Sequence, residues 1–394
     1  MLASVRTILD EIRAEGWDAL VRHASVIDGA APELLRVAPF AAVARQELAA
    51  EAQAAMRLAV DQIETFHHQS MPKPVEVVTL PGLSVSTLWR PLDRAGLYVP
   101  GGRAPLFSTL MMLAIPARVA GVKELVVVTP PRTGGGLDPA IALAADMCGL
   151  DAIWTVGGAQ AIAALAFGAG EIPAVDRICG PGNSWVSAAK AMVSSDTGGP
   201  GIDLPAGPSE LMVLSGSGGD PTTVAADLLS QAEHDPDAQV LIVSPHAALL
   251  DAVGREVERQ LAALTGEFAP VRAIRCANLD EALAIANAYA PEHLSLACAE
   301  TASRIDDVRN AGAVFVGPFA AESFGDYLAG SSHVLPTDGA ARFTGGVSTL
   351  TFLKAMTVQR ISATTAATLA APAAALARLE GLEAHARAAE ARAA

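Results

Sequence analysis

The first 70 or so residues have the hydrophobic periodicity of α-helices. In VRTILDEIRAEGWDALVRHA and VARQELAAEAQAAMRLAVDQIETFHHQ, apolar residues recur every three or four positions, which places them on one face of a helix. We therefore predict packing helices over residues 1–72. His67 and His68 end the second stretch, where a cation is favourable, so we interpret both as helix-end residues.

From residue 98 to about 208 the pattern changes to short apolar runs that end in glycine or proline. ELVVVTPP, AIWTVGGAQ and RICGPGN are such runs, and the helical stretches AQAIAALAFG and NSWVSAAKAMV follow two of the turns. Strands that alternate with helices are typical of βαβ units. This segment therefore predicts a parallel, doubly wound sheet.

A second set of short apolar runs lies between residues 209 and 346. It consists of ELMVLSG, AQVLIVSP, VRAIRC, EHLSLAC and GAVFVGP, again separated by helical segments. The chain is thus predicted to be an α/β protein with two parallel sheets, and their similar rhythm suggests an internal duplication. The Ala-rich tail after Val347 reads as helix and contains a single histidine, His385; its composition alone would suit a low-complexity solvated helix.

Composition narrows the range of functions. The 394 residues include 27 Lys and Arg against 42 Asp and Glu, a net charge of -15, which argues against a nucleic-acid surface and favours small molecules as partners. There is no signal-peptide pattern and no apolar run of about 18 residues, so we expect a soluble, cytoplasmic protein with no membrane partner. The four cysteines form no C-x-x-C pair, so neither a zinc knuckle nor a disulfide framework is indicated.

Glycine-rich turns follow several predicted strands. LYVPGGRAPL, TVGGAQAIAAL and GPGNSW are of this kind, although no G-x-G-x-x-G fingerprint occurs after a strand. Glycine lets the backbone approach a phosphate, and the helix N-termini after Gly158 and Gly182 could offer free N–H groups to an anion. The alternative is that a strand-to-helix turn needs glycine in any case.

Two further segments carry side chains that suit a divalent metal. Gln231 and His234, in DLLSQAEHDPD, are three positions apart and would project from the same face of one helix. Asp326 and His333 lie in the glycine-flanked segment ESFGDYLAGSSHVLPT. Asp, His and Gln suit zinc or a comparable ion, whereas a polar pair at a helix end is the simpler explanation for the first two.

The stretch NAYAPEHLSLAC places Glu292 and His293 between a proline and an apolar run. A carboxylate and an imidazole side by side can serve as an acid/base pair, because histidine titrates near neutral pH. A polar loop in front of a strand is the alternative.

Ordered blocks along the chain resemble the histidinol dehydrogenase family, whose members are zinc- and NAD-dependent. The resemblance extends from about residue 4 to residue 385 and rests on LYVPGG, APLFSTL, VGGAQAIAALAFG, GPGN, AGPSE, DLLSQAEHDPD, APEHL, GDYLAG, HVLPT and EGLEAH. It implies two doubly wound, incomplete Rossmann-like parallel-sheet domains with helical N-terminal and C-terminal extensions. The expected boundaries are residues 1–97 (helical, contributing to the metal-side domain), 98–208 (NAD side), 209–346 (metal and catalytic pair) and 347–394 (C-terminal arm).

The resemblance also implies roles for individual residues. One zinc ion per subunit would be held by Gln231, His234, Asp326 and His385, the last from the partner subunit of a domain-swapped homodimer. Glu292 and His293 would be the catalytic pair. Substrate contacts would fall on Ser209, Gln231, His234, His293, Asp326, His333, Glu380 and His385, and NAD contacts on Tyr98, Gln160 and Asn183.

The implied activity is the four-electron oxidation of L-histidinol to L-histidine through the aldehyde, with Glu292 activating water and His293 as general base. The sequence departs from the family pattern in a shorter segment before Val271 and at Ser332, Gly345 and Gly346. Two alternatives therefore stay open. One is a related zinc and NAD dehydrogenase of another small polar alcohol, and the other is a non-catalytic metal-binding dimer.

Overall fold

The computed structural model describes residues 1–101, 105–204 and 207–393. The chain forms two compact units, the first made of Met1–Ser70 with Leu92–Phe352 and the second of Met71–Pro91 with Leu353–Ala394. Gly102, Arg103, Ala104 and Ala206, which belong to the sequence blocks quoted above, lie outside the described residues.

The strands are β1 (Glu33–Arg36), β2 (Val75–Leu80), β3 (Leu83–Pro91), β4 (Arg94–Tyr98), β5 (Glu124–Thr129), β6 (Ala152–Thr155), β7 (Arg177–Cys179), β8 (Gly201–Ile202), β9 (Glu210–Leu214), β10 (Gln239–Ser244), β11 (Val271–Arg275), β12 (His293–Leu296), β13 (Ala313–Val316) and β14 (Leu353–Ile361).

The helices are α1 (Leu2–Glu15), α2 (Trp17–Ile27), α3 (Val37–Glu47), α4 (Ala50–Gln69), α5 (Phe107–Ala120), α6 (Pro139–Met147), α7 (Gly158–Phe167), α8 (Ser184–Ser195), α9 (Pro221–Ala232), α10 (Ala247–Leu261), α11 (Leu279–Tyr289), α12 (Ala299–Ala302), α13 (Glu322–Tyr327), α14 (Ala363–Leu379) and α15 (Glu383–Glu390). In the described part of the chain, no helix combines the length and apolarity needed to cross a membrane.

The first unit contains two sheets with the same internal order. The six-stranded sheet runs β1-β6-β5-β4-β7-β8 and the five-stranded sheet runs β11-β10-β9-β12-β13. Every neighbouring pair is parallel except β1 with β6. If the edge strand β1 is set aside, each sheet places its third, second, first, fourth and fifth strands side by side, which is an incomplete Rossmann order. The predicted fold class is confirmed, and the shared order supports the duplication.

The N-terminal helices cover the first sheet. Buried side chains of α1 and α2, among them Val5, Ile12 and Leu20, form one apolar cluster with residues of β4 to β7, α7 and α8. Our expectation that residues 1–97 are helical and belong with the metal-side domain differs from this arrangement. The segment also contains β1 to β4, and its first two helices pack on the other sheet. Strand β1 was not predicted because it is only four residues long and lies at a sheet edge, so its pattern is too short to detect.

Both long helices predicted at the N-terminus are divided in two. Gly16, with φ of 62°, separates α1 from α2, and an extended turn at Leu48 and Ala49 separates α3 from α4. His67 and His68 do lie in the last turn of α4. However, His67 is fully buried and burial lowers its pKa to about 4. The helix-end placement of both residues is thus confirmed, but a neutral His67 gains nothing from the helix dipole.

The second unit is a three-stranded antiparallel sheet, β14-β3-β2, with helices α14 and α15. Strand β14 lies in the tail that we predicted to be a helical arm, and it was missed because most of its residues, like all those of β2, are exposed and show no buried face. Many large apolar side chains of this unit are exposed in the single chain: Val75, Val77, Val78, Leu80, Met356, Ile361, Leu376, Leu379 and Leu382.

A buried ion pair fixes the loop that follows β7. Lys190 Nζ contacts the Asp203 carboxylate and donates a hydrogen bond to Gly180 O at 2.8 Å, and only 2% of the Lys190 side chain is exposed. The Asp203 carboxylate also accepts from Gly180 N at 2.6 Å and from Leu204 N at 2.7 Å. Gly180 (φ +127°) must be glycine, since a Cβ there would lie 2.0 Å from Tyr98 O. The pair thus holds β7 and its loop against β4.

Replacing Lys190 with Met keeps most of the side-chain volume but leaves the Asp203 carboxylate buried without its cation. Removal of one partner from a buried ion pair costs roughly 3–5 kcal/mol, and we expect a loss of that order in the free energy of unfolding measured by urea denaturation. The control is Arg259→Met, which removes an exposed contact with Glu256 and should leave the midpoint unchanged. Equal midpoints for the two variants would contradict a structural role of the pair.

Candidate active site

Glu292 and His293 lie at the amino edge of the five-stranded sheet. His293 is the first residue of β12 and pairs with Leu211 on β9, so Glu292 comes beside Glu210. Ligands of open α/β sheets usually bind at the carboxyl edge. Here the segments that follow the strands carry polar residues to the amino edge. Gln231 lies in the last turn of α9, and His333, in the segment after β13, packs against the His293 imidazole.

The hydrogen bond of His293 defines its tautomer. Nδ1 lies 2.8 Å from Glu210 O, and a carbonyl oxygen only accepts, so Nδ1 carries the proton and Nε2 the free lone pair. Nε2 is buried and has no hydrogen-bond partner in the described part of the chain. Burial lowers the pKa of His293 well below its usual value, and His333 and His234 lower it further. A neutral imidazole with a free Nε2 is the form required of a general base.

The Glu292 carboxylate is held beside this imidazole. Its Oε2 accepts a hydrogen bond from Glu210 N at 2.9 Å and lies 3.6 Å from His293 Nδ1. Burial raises the pKa of Glu292 to about 8; the bond from Glu210 N lowers this pKa in part, and the carboxylates of Glu210 and Asp326 raise it. Glu292 is therefore a proton donor at neutral pH and a base above about pH 8.

His333 stacks on His293 with ring centroids 4.6 Å apart and planes inclined by 16°. Its Nε2 is 3.4 Å from Asp326 Oδ1, and Gly325 leaves the space that the ring occupies, because a Cβ there would lie 2.6 Å from His333 Cε1. Burial and the charge of His234 lower the pKa of His333, while Asp326 opposes this. One segment thus carries both His333, which stacks on His293, and Asp326, which contacts His333.

The predicted metal ligands are only partly brought together. Gln231 lies in the last turn of α9, fully buried, and neither amide atom has a partner among the described residues. His234 follows the end of α9 in an exposed turn, so the expectation that both project from one helix face was wrong. His385 is exposed on α15 of the second unit. No group of three or more His, Cys, Asp and Glu side chains in the described ranges could hold a metal.

Gln231 nevertheless fits a ligand-binding role. A buried amide with no hydrogen-bond partner destabilises the folded protein. Several other buried polar side chains at this edge also have atoms without hydrogen-bond partners among the described residues. Buried polar atoms without partners in the described ranges include Gln231 Oε1 and Nε2, His293 Nε2, both Glu322 oxygens, and both ring nitrogens of His333. The site therefore offers donors and acceptors that a polar ligand or metal would satisfy.

The three predicted NAD contacts lie at the carboxyl edge of the first sheet. Tyr98 ends β4, Gln160 is in α7 after β6, and Asn183 precedes α8 after β7. The Tyr98 hydroxyl accepts from Gly158 N at 3.3 Å. Gln160 Nε2 donates to Asp28 Oδ2 at 3.0 Å, which leaves its buried Oε1 as a free acceptor. The edge at which strand order reverses around β4 is where such sheets bind nucleotides.

The two helix N-termini at this edge differ in how their N–H groups are satisfied. Asp28 accepts from Gly157 N at 3.0 Å at the start of α7. At the start of α8 the Asn183 side chain accepts from Trp185 N at 3.1 Å and Val186 N at 3.2 Å. The start of α8 is therefore capped by its own Asn183 side chain, whereas the start of α7 has no side-chain cap hydrogen bond among the described residues.

The remaining predicted substrate contacts are not among these buried groups. Ser209 is half-buried directly before β9. Glu380 follows the end of α14 in the second unit and is exposed, like His385.

Comparison with known proteins identifies the family. A family model described as histidinol dehydrogenase matches residues 1–393. Histidinol dehydrogenase of Xanthomonas campestris pv. campestris is 46% identical over 393 residues, which cover 98% of this chain and 91% of that protein. The chain belongs to the histidinol dehydrogenase family.

Two further relatives agree with this assignment. Histidinol dehydrogenase of Salmonella typhimurium is 43% identical over 98% of this chain and 89% of its own length. The crystal structure of histidinol dehydrogenase from Elizabethkingia anophelis matches with a TM-score of 0.93 at 37% identity, covering 99% of this chain and 91% of that one. The resemblance seen in the sequence is confirmed, and the chain is an oxidoreductase of the histidinol dehydrogenase family.

The structure of this histidinol dehydrogenase family member adds acidic residues that we did not predict. Glu322 is 2% exposed, its Oε1 lies 3.5 Å from His293 Nδ1, and burial followed by the charges of Asp326 and Glu292 raises its pKa well above the usual value. Burial raises the pKa of Asp227 to about 6. Each lies four positions before a predicted ligand, Glu322 before Asp326 and Asp227 before Gln231, and this helical spacing was the available signal.

Gly325→Ala tests the packing of His333. The added Cβ would lie 2.6 Å from His333 Cε1 and 2.8 Å from Phe315 Cε1, so we expect the ring to leave its stack on His293. In steady-state assays the KM for histidinol should rise by about tenfold or more, the size expected from a lost binding contact. The control is Gly254→Ala in α10, where nothing lies within 4 Å. An unchanged KM for Gly325→Ala would remove His333 from the substrate site.

Proposed function

We propose that the protein oxidises L-histidinol to L-histidine at the site around His293. The observation that carries the proposal is the free, buried Nε2 of a neutral His293. Beside it lie Glu292 and a set of buried polar atoms without partners in the described ranges. This arrangement suits proton removal from an alcohol and from a hydrated aldehyde within one pocket.

In the first oxidation His293 acts as the base. Its Nε2 takes the hydroxyl proton while a hydride leaves the same carbon, which converts the alcohol to an aldehyde. The Nδ1 bond to Glu210 O stays in place and stabilises the imidazolium that forms. Release of this proton to solvent returns His293 to its neutral form for the second step.

In the second oxidation Glu292 acts first. Its carboxylate removes a proton from a water molecule that adds to the aldehyde carbon and returns this proton to the former carbonyl oxygen, which gives the hydrated aldehyde. His293 then removes a hydroxyl proton from the hydrated aldehyde as the second hydride leaves. Glu292 requires its ionised form for this role, and its pKa of about 8 makes the step faster in mildly alkaline solution. Glu292 and His293, which are adjacent in the chain, therefore act in different steps of the reaction.

Zinc and NAD fit the residues present. Gln231, His234 and Asp326 would hold zinc together with His385 of the partner subunit, and the unpartnered Gln231 amide supports this set. Tyr98, Gln160 and Asn183 would contact NAD, and the free Gln160 Oε1 supports that site. When bound, zinc orients the nitrogen atoms of the substrate and NAD accepts the two hydrides.

A domain-swapped homodimer is supported by the second unit. Its three strands and two helices leave nine large apolar side chains exposed in the single chain, from Val75 on β2 to Leu382 before α15. Exposed apolar clusters of this kind mark interaction surfaces. A second copy of the chain that covers them would also supply Glu380 and His385 to the site of its partner.

Glu292→Gln keeps the side-chain shape but removes the base. Starting from the pre-formed aldehyde, NADH production in single turnover should be slower by roughly 10²- to 10⁴-fold. Starting from the alcohol, the first NADH should form at nearly the wild-type rate. Because a carboxylate with a pKa of about 8 is protonated below that pH, the wild-type aldehyde rate should rise as pH passes 8 and then level off. Equal losses in both steps would reject separate roles, and a flat pH profile would contradict Glu292 as the base.

Mixing two inactive variants tests both the metal set and the swapped arm. His234→Ala and His385→Ala homodimers should each lose bound zinc and activity. Subunit exchange between them should give a heterodimer with one intact site, so zinc content and activity should both return in part. Lys354→Ala, an exposed position on β14, is the control and should retain both. No recovery after demonstrated exchange would show that His385 does not act in its partner.

A further inference from the structure

We propose that Glu210 is the positioning residue of the catalytic pair and holds Glu292 through its carboxylate and His293 through its backbone. The proposal rests on the roles proposed above for Glu292 and His293. Glu210 is not among the residues that the sequence blocks single out for chemistry, yet it is 3% exposed at the start of β9, directly beside both.

Four hydrogen bonds converge on Glu210. Glu210 N donates to Glu292 Oε2 at 2.9 Å, and Glu292 N donates back to Glu210 Oε2 at 3.1 Å. His293 Nδ1 donates to Glu210 O at 2.8 Å, and Asp338 N donates to Glu210 Oε1 at 2.9 Å. One residue thus orients the Glu292 carboxylate, fixes the backbone that carries it and sets the tautomer of His293.

Only a carboxylate can make this set of bonds. The two side-chain oxygens of Glu210 each accept from a different backbone N–H, those of Glu292 and Asp338. Gln has the same shape but offers one acceptor and one donor, so its NH₂ group would face a second N–H. The change therefore breaks one of the two bonds without a large change in volume.

Backbone strain is concentrated at the same place. Among described residues, Ala290 and Asp338 are the non-glycine residues with positive φ, at 59° and 53°. Ala290 lies two positions before Glu292, and Asp338 donates its own N–H to Glu210. Such a conformation is unfavourable for a residue with a Cβ and persists only where surrounding contacts impose it. The Glu210 carboxylate supplies contacts of that kind.

Burial of Glu210 is unfavourable for stability. Burial raises the pKa of its carboxyl group, which the two N–H bonds only partly offset, and the nearby charge of Arg342 lowers it a little. Stability alone does not explain a buried carboxylate that forms no salt bridge among the described residues, because apolar replacements of buried charges are often neutral or stabilising. Its position beside the catalytic pair explains it.

Glu210→Gln tests the carboxylate, with Glu300→Gln as a matched control. Glu300 accepts from Ser217 N and Ser217 Oγ, both at 2.9 Å, at the opposite edge of the same strands. We expect Glu210→Gln to slow NADH formation from the aldehyde by about tenfold or more, with the KM values within about threefold of wild type, because orientation acts on the chemical step. Glu300→Gln should leave both unchanged.

A double-mutant cycle separates positioning of Glu292 from a general structural role. If Glu210 acts through Glu292, adding Glu210→Gln to Glu292→Gln should change the aldehyde rate by less than about twofold, since coupled residues are not additive. The same loss factor in both backgrounds would overturn the proposal, as would a wild-type rate for Glu210→Gln alone.

Hydrogen exchange gives a readout that does not need activity. Amides around Glu292 and Asp338 should exchange faster in Glu210→Gln than in wild type or Glu300→Gln. If wild type oxidises no histidinol, the proposed function fails while this local change can still be seen or refuted. If Glu210→Gln does not fold, Glu210→Asp decides: it keeps the charge but is one methylene too short to reach both N–H groups. Unchanged exchange and unchanged aldehyde rate in that variant would overturn the proposal.

Discussion

The parallel pairing of β9 with β12 is the constraint on which the candidate active site depends. It brings Glu210 beside Glu292, so that each donates its backbone N–H to the carboxylate of the other. The same pairing places Glu210 O within hydrogen-bond distance of His293 Nδ1 and thereby leaves Nε2 free. Because a shift of one residue would turn every side chain to the other face, the register of two buried strands determines which atoms face the substrate.

The two sheets share a strand order but use opposite edges. The predicted NAD contacts lie at the carboxyl edge of the first sheet, where Asp28 accepts from Gly157 N and Asn183 caps α8. The proposed catalytic pair, Glu292 and His293, lies at the amino edge of the second sheet, where α9 ends. The C-terminal end of a helix carries a partial negative charge that favours a cation. This gives a physical reason for a metal to bind near Gln231 and His234.

Burial sets the protonation of the second site. It raises the pKa values of Glu292 and Glu322 and lowers those of His293 and His333, so that these groups are held uncharged before a ligand binds. Several of their polar atoms lack partners in the described ranges. A ligand that supplies those partners gains hydrogen bonds in a low-dielectric pocket, where they are strong. The unpartnered polar atoms of this site therefore favour the binding of a polar ligand that can form hydrogen bonds with them.

Local sequence determined most of the strands and helices of the two sheets in the first unit, because apolar runs closed by glycine or proline signal βαβ units directly. Ordered motifs also determined the family, including the Glu292–His293 pair. The sequence missed β1, β2, β3 and β14, whose short or exposed strands have no two-faced pattern. It also missed Glu322 and Glu210. Burial and contacts with the distant segment of Glu292 and His293 distinguish both residues from ordinary acids. Glu210 in particular has no distinguishing local pattern, and its role depends on the pairing of β12 with β9. Only the tertiary structure decides such contacts, because they depend on strand register and desolvation, which no local pattern encodes.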